Sequence, residues 1–249
     1  MVKVCLIGYG KWGKVLYKKL KDITNLSLVL RKKNYSIKKI RDVDWVVIAT
    51  PDTTHYKIVK DCIKIKKNVF CEKPLTKKFE QAKKLYDLAK ANRVKLIVSD
   101  LSKYKKKIPL SSQVNTFRRF KSSHEEKNII TKRYDFLYRF VYHDIGYIYS
   151  SVKNKRLKLI KIICSKRILR FYLVFSNIKF NFFYDTVNKK RSYSLNNFSL
   201  YQRNDILKKM LNDFIDKKKL LTDNEKKSIF IIKILEKIKK KMSSSRYYC

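Results

Sequence analysis

Gly8-Tyr9-Gly10-Lys11-Trp12-Gly13 follows directly on an apolar run over residues 2–7 and contains three of the four glycines in this chain of 249 residues. Val15, Leu16 and Leu20 come next at helical spacing, so the pattern indicates a strand, a turn and a helix. A dinucleotide site needs this order, because its turn is tight, its backbone approaches a pyrophosphate and its helix packs closely on the strand. Each requirement favours a residue without a Cβ. We therefore predict a phosphate-binding turn at residues 8–13.

The remainder of the first hundred residues alternates between strand and helix patterns. Apolar runs predict strands at residues 26–30, 45–49, 69–71 and 94–98. Helical spacing predicts one helix over residues 56–63 and a longer one over residues 79–89, with Thr76 as the N-cap of the second. Such alternation is typical of a parallel sheet with helices on both faces. We predict an α/β fold whose residues 1–100 form a doubly wound Rossmann domain.

After residue 100 the pattern changes. Residues 101–128 are polar and lysine-rich, which indicates an irregular connection, and residues 129–152 predict a helix with Tyr134, Leu137, Val141 and Ile145 on one face. Apolar runs at residues 157–164, 168–176, 178–184 and 192–195 indicate successive antiparallel strands. A helix around residues 206–214 and another, opened by a capping box at residues 222–225 and running to about residue 241, complete the chain. We predict a smaller, truncated α+β domain over residues 101–249, with an open, mostly antiparallel sheet.

The net charge of +42 raises the question of a nucleic-acid partner. The excess is spread evenly, because residues 1–100 carry +16 and residues 101–249 carry +26. A nucleic-acid footprint is expected to concentrate on one face or segment. The 49 lysines against 13 arginines, in a chain rich in Ile, Asn, Tyr and Phe, match the amino acids of AT-rich codons. We therefore favour compositional drift over nucleic-acid binding, although the field would still attract anionic ligands.

Cysteine usage and hydropathy indicate the compartment. The five cysteines show no CxxC or other metal-ligand spacing, so we expect reduced thiols and no metal. No apolar stretch approaches membrane-spanning length, and the first strand pattern begins at residue 2, so we expect neither a membrane partner nor a signal peptide. A cytoplasmic location follows as an expectation.

Two further motifs lie at predicted strand ends. Thr50-Pro51-Asp52-Thr53-Thr54-His55 follows one strand, and Glu72-Lys73-Pro74 follows the next. Carboxyl ends of parallel strands meet at one edge, where ligands bind beside the point at which strand order reverses.

Arg31 and Lys32 follow the second predicted strand. At this position a carboxylate would hold the ribose of NAD, and a basic residue would accommodate the 2′-phosphate of NADP. We predict NADP(H) as the preferred cofactor, with NAD(H) possible.

Taken together, the glycine turn, Thr50-Pro51 with His55, and Glu72-Lys73-Pro74 resemble the motifs of the glucose-fructose oxidoreductase / inositol dehydrogenase / MocA family of NAD(P)-dependent oxidoreductases. The resemblance covers residues 1–100 and continues more weakly at His143-Asp144-Ile145. It implies a Rossmann domain followed by a domain whose open sheet supports a homo-oligomer. It also implies a dehydrogenase or reductase that acts on a sugar-like or cyclitol-like small molecule.

The resemblance also implies roles for individual residues. Cofactor contacts are expected from the motifs and from the second strand end, at Gly8, Tyr9, Gly10, Lys11, Trp12, Gly13, Arg31, Lys32, Thr50, Pro51, His55, Glu72, Lys73 and Pro74. Lys73, as the cation beside a developing alkoxide, and His143, as acid or base, are the expected catalytic residues. Substrate contacts are expected from Lys73, Arg139, His143 and Asp144.

One position departs from the family pattern. The family commonly has an aspartate four residues before the catalytic histidine, and this chain has Arg139 there. A four-residue step keeps both side chains on one helical face. The exchange indicates either an anionic substrate, such as a nucleotide sugar, or an altered or lost proton relay.

Three functions therefore stay open. The first is an oxidoreductase of a sugar or cyclitol hydroxyl or its carbonyl. The second is a degenerate family member that binds a nucleotide as a sensor, scaffold or partner subunit without turnover. The third is a nucleic-acid-binding protein, which would show affinity that depends strongly on salt.

Overall fold

The computed structural model describes residues 1–105, 112–121, 133–164, 168–188, 192–196, 198–199, 205–215 and 221–244. They form two compact units, the first made of Met1–Tyr104 with Asp205–Lys233 and the second of Lys105–Asn204 with Ile234–Cys249. The sequence assigned everything after residue 100 to the second domain. Residues 205–233 instead return to the first unit, because a C-terminal helix supplies part of its hydrophobic core.

The first unit contains a parallel five-stranded sheet in the order β2-β1-β3-β4-β5. Its strands are β1 (Lys3–Ile7), β2 (Asn25–Leu30), β3 (Trp45–Ile48), β4 (Asn68–Cys71) and β5 (Leu96–Val98). The helices between them are α1 (Lys11–Ile23), α2 (His55–Lys64) and α3 (Phe79–Ala91). Short 3₁₀ turns occur at Lys32–Asn34, Ile37–Ile40, Asp52–Thr54 and Leu101–Tyr104. The predicted doubly wound parallel sheet is confirmed.

Strands of the first sheet such as β3 and β5 lack a polar face because they are buried on both sides. All four residues of β3 and all three of β5 are buried, as expected for strands of a parallel sheet covered on both faces. In α1 the buried side is formed by Gly13, Leu16 and Leu20. The helix α3 begins after Lys78 rather than at the predicted cap, and Thr76 Oγ1 instead donates to the carbonyl oxygen of Lys78 at 2.7 Å.

Two C-terminal helices, α6 (Ile206–Ile215) and α7 (Leu221–Ser244), follow the second sheet in sequence. The helix α6 adds apolar side chains to the core of the first unit, and Phe214 packs against the rings of Trp45 and Phe70 at centroid distances of 4.6 and 4.9 Å. The helix α7 already begins at Leu221, one residue before the predicted capping box. Residues 216–220 and the side chain of Thr222 lie outside the described part of the chain.

The helix α7 also closes an edge of the first sheet. The side-chain amide of Asn224 donates to the carbonyl oxygen of Val98 at 2.8 Å, and its oxygen accepts from the N–H of Val98 at 2.8 Å. One asparagine thus makes the two hydrogen bonds that a neighbouring strand would make with β5.

The second unit contains a six-stranded sheet in the order β11-β10-β6-β9-β8-β7. Its strands are β6 (Gln113–Lys121), β7 (Leu157–Cys164), β8 (Ile168–Phe175), β9 (Ile178–Asn188), β10 (Ser192–Leu195) and β11 (Phe198–Ser199). All neighbouring pairs are antiparallel except β6 with β9, which are parallel. This confirms the mostly antiparallel sheet. The strand β6 lies where an irregular connection was expected, because its buried Val114 and Thr116 alternate with the polar Gln113 and Asn115 in a polar segment of the sequence.

A helical segment precedes these strands in sequence. It consists of α4 (Arg133–Phe136), a π turn at Leu137–Val141 and α5 (Tyr142–Val152). Leu137, Val141 and Ile145 of the predicted apolar face are fully buried. The side chain of Tyr134 and residues 129–132 lie outside the described part. Among the described helices, none is long and apolar enough to cross a membrane.

Candidate cofactor and substrate site

The outer glycines of the turn hold strand and helix together. Gly8 has φ +109°, and a Cβ there would lie 2.5 Å from the carbonyl carbon of Ala49. A Cβ on Gly13 would lie 2.0 Å from the carbonyl oxygen of Gly8. Neither position accepts a side chain unless β1, β3 and α1 move apart. These two glycines match the tight turn and the close helix–strand contact of a dinucleotide site.

Gly10 differs from both. A Cβ at Gly10 would meet nothing within 4 Å, so no atom of the described residues accounts for the glycine. Gly10 is the N-cap residue of α1, and no side chain caps the free N–H groups of the first helical turn. Free N–H groups at a helix N-terminus bind phosphate. The open space at Gly10 therefore fits the pyrophosphate of a dinucleotide, which is the role of the second glycine in such turns.

Main-chain hydrogen bonds bring the three motifs to one edge of the sheet. The N–H of Ala49 donates to Ile7 at 2.8 Å, and the N–H of Glu72 donates to Ile48 at 2.9 Å. The glycine turn, residues 50–55 and residues 72–74 therefore leave the adjacent strands β1, β3 and β4 at the same carboxyl edge. Strand order reverses beside β1, which is where ligands bind in open α/β sheets.

His55 ties two of these motifs together. Its ring is 1% exposed, with Nδ1 2.8 Å from the carbonyl oxygen of Pro74 and Nε2 2.9 Å from that of Thr50. Asp52 and Lys77 add a half-buried ion pair of 3.0 Å between the same segments. His55 was predicted to contact the cofactor. Both of its ring nitrogens are already used by main-chain oxygens, so the contribution that the structure shows is to position Thr50 and Pro74.

Glu72 presents a buried acceptor. Oε2 accepts from the N–H of Lys73 at 3.3 Å, whereas Oε1 is buried and has no hydrogen-bond partner among the described residues. A buried carboxylate oxygen without a donor is costly. A ribose hydroxyl would supply that donor, so Glu72 also fits a bound dinucleotide. Lys73, the next residue, is partly exposed at the same edge.

Arg31 lies beside the glycine turn. The N–H of Gly8 donates to the carbonyl oxygen of Leu30 at 2.8 Å, and Arg31 follows as an exposed residue at the end of β2. No carboxylate occurs between residues 31 and 41. The side chain of Lys32 lies outside the described part. The strand end that contacts the adenosine ribose in dinucleotide folds is therefore basic.

The predicted substrate residues Arg139, His143 and Asp144 belong to the second unit, whereas Lys73 belongs to the first. Arg139 lies in the π turn, is exposed, and has its guanidinium carbon 5.4 Å from the ring centroid of Phe140. His143 lies in α5, is partly exposed, and contacts the Tyr142 ring edge-on at 6.2 Å between centroids. A π turn within a helix is frequently found at functional sites.

Asp144 was predicted to contact substrate, but protein groups surround its carboxylate. The residue is 1% exposed. Arg118 Nη2 and Tyr193 Oη lie 2.6 and 2.5 Å from Oδ1, and Tyr184 Oη lies 2.8 Å from Oδ2. In the sheet, Arg118 of β6 lies opposite Tyr193 of β10 on one side and opposite Tyr184 of β9 on the other. Three side chains from adjacent strands therefore meet the Asp144 carboxylate of α5. Asp144 therefore anchors α5 on the sheet.

Arg118, Tyr184 and Tyr193 were not predicted as site residues. Burial raises the pKa of both tyrosines well above the ordinary value, and the nearby Asp144 carboxylate raises it further. Both phenols therefore stay protonated and donate to Asp144. In the sequence Asp144 lies 40 residues from Tyr184 and 49 residues from Tyr193, so no local pattern could have identified the cluster.

Comparison with known proteins agrees with this geometry. Residues 31–100 match the GFO_IDH_MocA family, described as an oxidoreductase family with an NAD-binding Rossmann fold. This stretch of the first unit is therefore similar to the Rossmann domain of the Gfo/Idh/MocA family. An uncharacterized oxidoreductase of Schizosaccharomyces pombe is 40% identical over 57 residues, which are 23% of this chain and 15% of that protein. Inositol 2-dehydrogenase of Rubrobacter xylanophilus is 47% identical over 45 residues, which are 18% of this chain and 13% of the enzyme. The matched stretches thus span less than a fifth of these relatives.

Solved structures of this fold match over a greater length. UDP-N-acetylglucosamine 3-dehydrogenase GnnA from Acidithiobacillus ferrooxidans aligns with a TM-score of 0.80 at 14% identity, over 95% of this chain and 96% of that chain. The WlbA (WbpB) dehydrogenase from Thermus thermophilus, in complex with NAD and UDP-GlcNAcA, aligns with a TM-score of 0.75 at 13% identity, over 94% of each chain. At such identities the likeness shows that both units share the fold of these dehydrogenases.

Proposed function

We propose that this protein is an NAD(P)-dependent oxidoreductase that transfers hydride between a nicotinamide cofactor and a hydroxyl or carbonyl of a sugar-like or cyclitol-like substrate. The observation that carries the proposal is the carboxyl edge of the first sheet. There the glycine turn, Thr50 and Glu72-Lys73-Pro74 lie on three adjacent strands, and His55 bridges two of them. The open space at Gly10 and the unpaired Oε1 of Glu72 fit a dinucleotide.

The proposed chemistry assigns each step to a side chain. The nicotinamide, when bound, accepts or supplies the hydride. Lys73 stabilises the negative charge that develops on the substrate oxygen and takes part in moving its proton. Glu72 and Pro74 fix the main chain on both sides of Lys73. His143 acts as the acid or base of the proton transfer, a task that suits an imidazole.

The proposed cofactor is NADP(H), with NAD(H) also accepted. Arg31 supports this choice, because an arginine at the end of β2 can pair with the 2′-phosphate that only NADP carries. The proposed substrate is anionic, and a nucleotide sugar is the leading class. Arg139, four residues before His143, supports an anionic substrate. One structural relative is named a UDP-N-acetylglucosamine 3-dehydrogenase, and another was solved in complex with UDP-GlcNAcA.

Replacing Lys73 tests the assignment. We expect Lys73→Ala to lower kcat by at least about 100-fold with a panel of nucleotide sugars, because both charge stabilisation and proton transfer are lost. NADPH should still bind, as measured by quenching of tryptophan fluorescence. Lys83→Ala, at an exposed position of α3, is the matched control and should keep full turnover. Unchanged turnover in Lys73→Ala would remove Lys73 from the mechanism.

The same experiment separates the second candidate function, a nucleotide-binding sensor or partner subunit without turnover. Arg139 favours this candidate too, because it replaces a negative charge next to the proposed proton relay. A wild-type protein that binds NADPH but reduces or oxidises no member of the panel would support the sensor. Turnover that depends on Lys73 would support the enzyme.

We further propose a homo-oligomer formed through the uncovered face of the second sheet. Leu159 and Ile163 of the edge strand β7 are 50% and 45% exposed on this face. Arg170 and Phe183 continue it across two more strands, with the guanidinium carbon 5.0 Å from the ring centroid. Aromatic and arginine side chains are enriched in protein interfaces. Molar mass from light scattering, measured on a gel-filtration column, would be that of one chain if the proposal is wrong.

A further inference from the structure

Two cations share one aromatic ring in the second unit. Lys105 Nζ lies 4.5 Å from the ring centroid of Tyr193, and the guanidinium carbon of Arg118 lies 4.0 Å from the same centroid. Lys105 is partly buried, and the Arg118 side chain is 14% exposed. Asp144 is the carboxylate that faces both. We call these four residues, together with Tyr184, the Asp144 cluster.

Asp144 does not compensate both cations. Arg118 and the two tyrosine hydroxyls already surround its oxygens. Both phenols are protonated, so they add no negative charge. Among the described residues, no hydrogen bond to Lys105 Nζ is found. The cluster therefore holds one more positive charge than negative charges.

The Lys105 amine shows the consequence of this excess. Burial lowers the pKa of Lys105 to about 8, and the repulsion of Arg118 adds to this, whereas the attraction of Asp144 opposes it. Near pH 7 the amine is still largely protonated, so the folded protein retains a charge that its surroundings disfavour. A perturbed, partly buried lysine of this kind is a candidate functional group.

Arg118 supplies an independent observation. Its Nε is buried and has no hydrogen-bond partner among the described residues, although Nη2 donates to Asp144. A buried guanidinium N–H without an acceptor is costly. Arg118 lacks a hydrogen-bond acceptor, and Lys105 lacks a compensating negative charge. A negatively charged acceptor would supply both.

We infer that Lys105 and Arg118, stacked on Tyr193, form a binding site for an oxyanion, a phosphate or carboxylate group of a ligand. An oxyanion accepts hydrogen bonds from an arginine and from an ammonium group together, and it neutralises the excess charge. This site goes beyond the proposed hydride transfer and does not require it. Binding to the cluster can therefore be measured without turnover, and failure of one proposal leaves the other intact.

Three variants test the site by thermal unfolding. Lys105→Met removes the charge and keeps a chain of similar length, and Lys105→Arg keeps the charge. Lys237→Met removes one charge from an exposed position of α7 in the same unit and is the matched control. In chloride buffer, Lys105→Met should have a higher Tm than the wild type, because a disfavoured charge is gone. A lower Tm would contradict an uncompensated charge at Lys105.

Oxyanion titrations supply the decisive comparison. Inorganic phosphate, added at constant ionic strength against sodium chloride, should raise the wild-type Tm by about 3 °C at ten times its Kd. Lys105→Arg and Lys237→Met should keep this response, and Lys105→Met should lose at least half of it. The inference is overturned if Lys105→Met responds like the wild type, or if the wild type responds no more to phosphate than to chloride.

Two further arms identify the ligand group. Glucuronate, a sugar carboxylate, is compared with phosphate and with uncharged glucose, and the stronger response identifies the oxyanion. Sulfate, which does not titrate near neutrality, is used from pH 7 to 9. Its affinity should fall several-fold as Lys105 loses its proton, since Arg118 and the protonated Tyr184 and Tyr193 keep their charge states. Affinity that stays constant over this range would contradict a role for the Lys105 charge.

Discussion

The glycines of the turn at residues 8–13 have different roles, and the effect of adding one methyl group at each position shows the difference. At Gly13 an added Cβ would meet the carbonyl oxygen of Gly8 at 2.0 Å, whereas at Gly10 it would meet nothing within 4 Å. Gly13 is required by the fold. At Gly10 the described residues leave open space, which we assign to the pyrophosphate of the proposed cofactor.

These two positions form a matched pair of variants. Gly13→Ala should lower the free energy of unfolding by about 2–4 kcal/mol, because overpacking forces α1 away from the strand. Gly10→Ala should leave the urea midpoint nearly unchanged but weaken NADPH binding at least tenfold, because the methyl group occupies the space proposed for the pyrophosphate. A Gly10→Ala protein that binds NADPH normally would contradict this placement of the cofactor.

Cofactor choice also belongs to a single residue. We expect Arg31→Asp to reverse the preference from NADPH to NADH, since a carboxylate repels the 2′-phosphate and accepts from the 2′-hydroxyl. The ratio of the two Kd values, measured by fluorescence quenching, should change at least tenfold. Arg93→Asp, placed after α3, is the control and should leave the ratio unchanged. Tighter binding of NADH by the wild type would refute the NADP(H) preference itself.

Individual residues also show which features of the site could be predicted from the sequence. The glycine turn was predictable because each of its requirements is local and depends on a missing Cβ. The partners of His55 were not, because they are main-chain oxygens brought together by two strands. Those of Asp144 lie 26, 40 and 49 residues away and meet it only when the sheet forms. The interpretation of both residues as ligand contacts followed from their motifs alone.

At the scale of elements, the ends of β3 and β4 are joined by two links of unequal strength. His55 is buried and bonds to both segments, whereas the ion pair of Asp52 and Lys77 is 28% exposed on each side. A partly exposed ion pair contributes about 0–1 kcal/mol. A buried ring that links two main-chain carbonyls contributes more, because a neutral imidazole donates to one of them and its loss leaves that buried acceptor without a donor.

This difference predicts the effects of two variants. His55→Ala should lower the free energy of unfolding by about 2–4 kcal/mol and weaken NADPH binding, because Thr50 and Pro74 lose the buried ring that links them and one carbonyl oxygen loses its donor. Asp52→Ala should cost less than about 1 kcal/mol and leave affinity nearly unchanged. Urea unfolding and fluorescence titration measure both. Equal effects of the two variants would show that His55 is not the main link.

Element boundaries were predictable where one period dominates the sequence. The strands of the first sheet are short apolar runs, and each lies within two residues of its predicted position. The strand β6 was missed because its buried Val114 and Thr116 alternate with Gln113 and Asn115 in a segment that is polar on average. The π turn at Leu137–Val141 was also missed, because its slightly larger number of residues per turn hardly changes the spacing of apolar residues along the sequence.

For the whole molecule, buried thiols predict a response to alkaline pH. Burial raises the pKa of Cys5 and Cys62 to about 12. Unfolded thiols lose their protons near pH 8.5–9. Between about pH 9 and 12 the unfolded chain has therefore released protons that the folded chain keeps, so the free energy of unfolding falls as pH rises.

Each such thiol should contribute a slope of about 1.4 kcal/mol per pH unit. Urea unfolding at pH 7, 9 and 10.5 measures the decline, which should be absent below pH 8. Cys62→Ala should show a shallower decline, because one titrating group is gone. An identical slope in the variant would mean that the Cys62 thiol titrates alike in both states.

The hydrogen bonds between Asn224 and Val98 have a consequence for the order in which the protein forms. They join residues 126 positions apart, and α6, which completes the same core, is also made late. At about 5–20 residues per second, a ribosome needs roughly 6–25 s to reach Asn224 after it has added Val98. During that interval β5 presents unpaired N–H and C=O groups, a template for pairing with other chains. Chains that stop before residue 224 should therefore aggregate during synthesis even though every cofactor motif is complete.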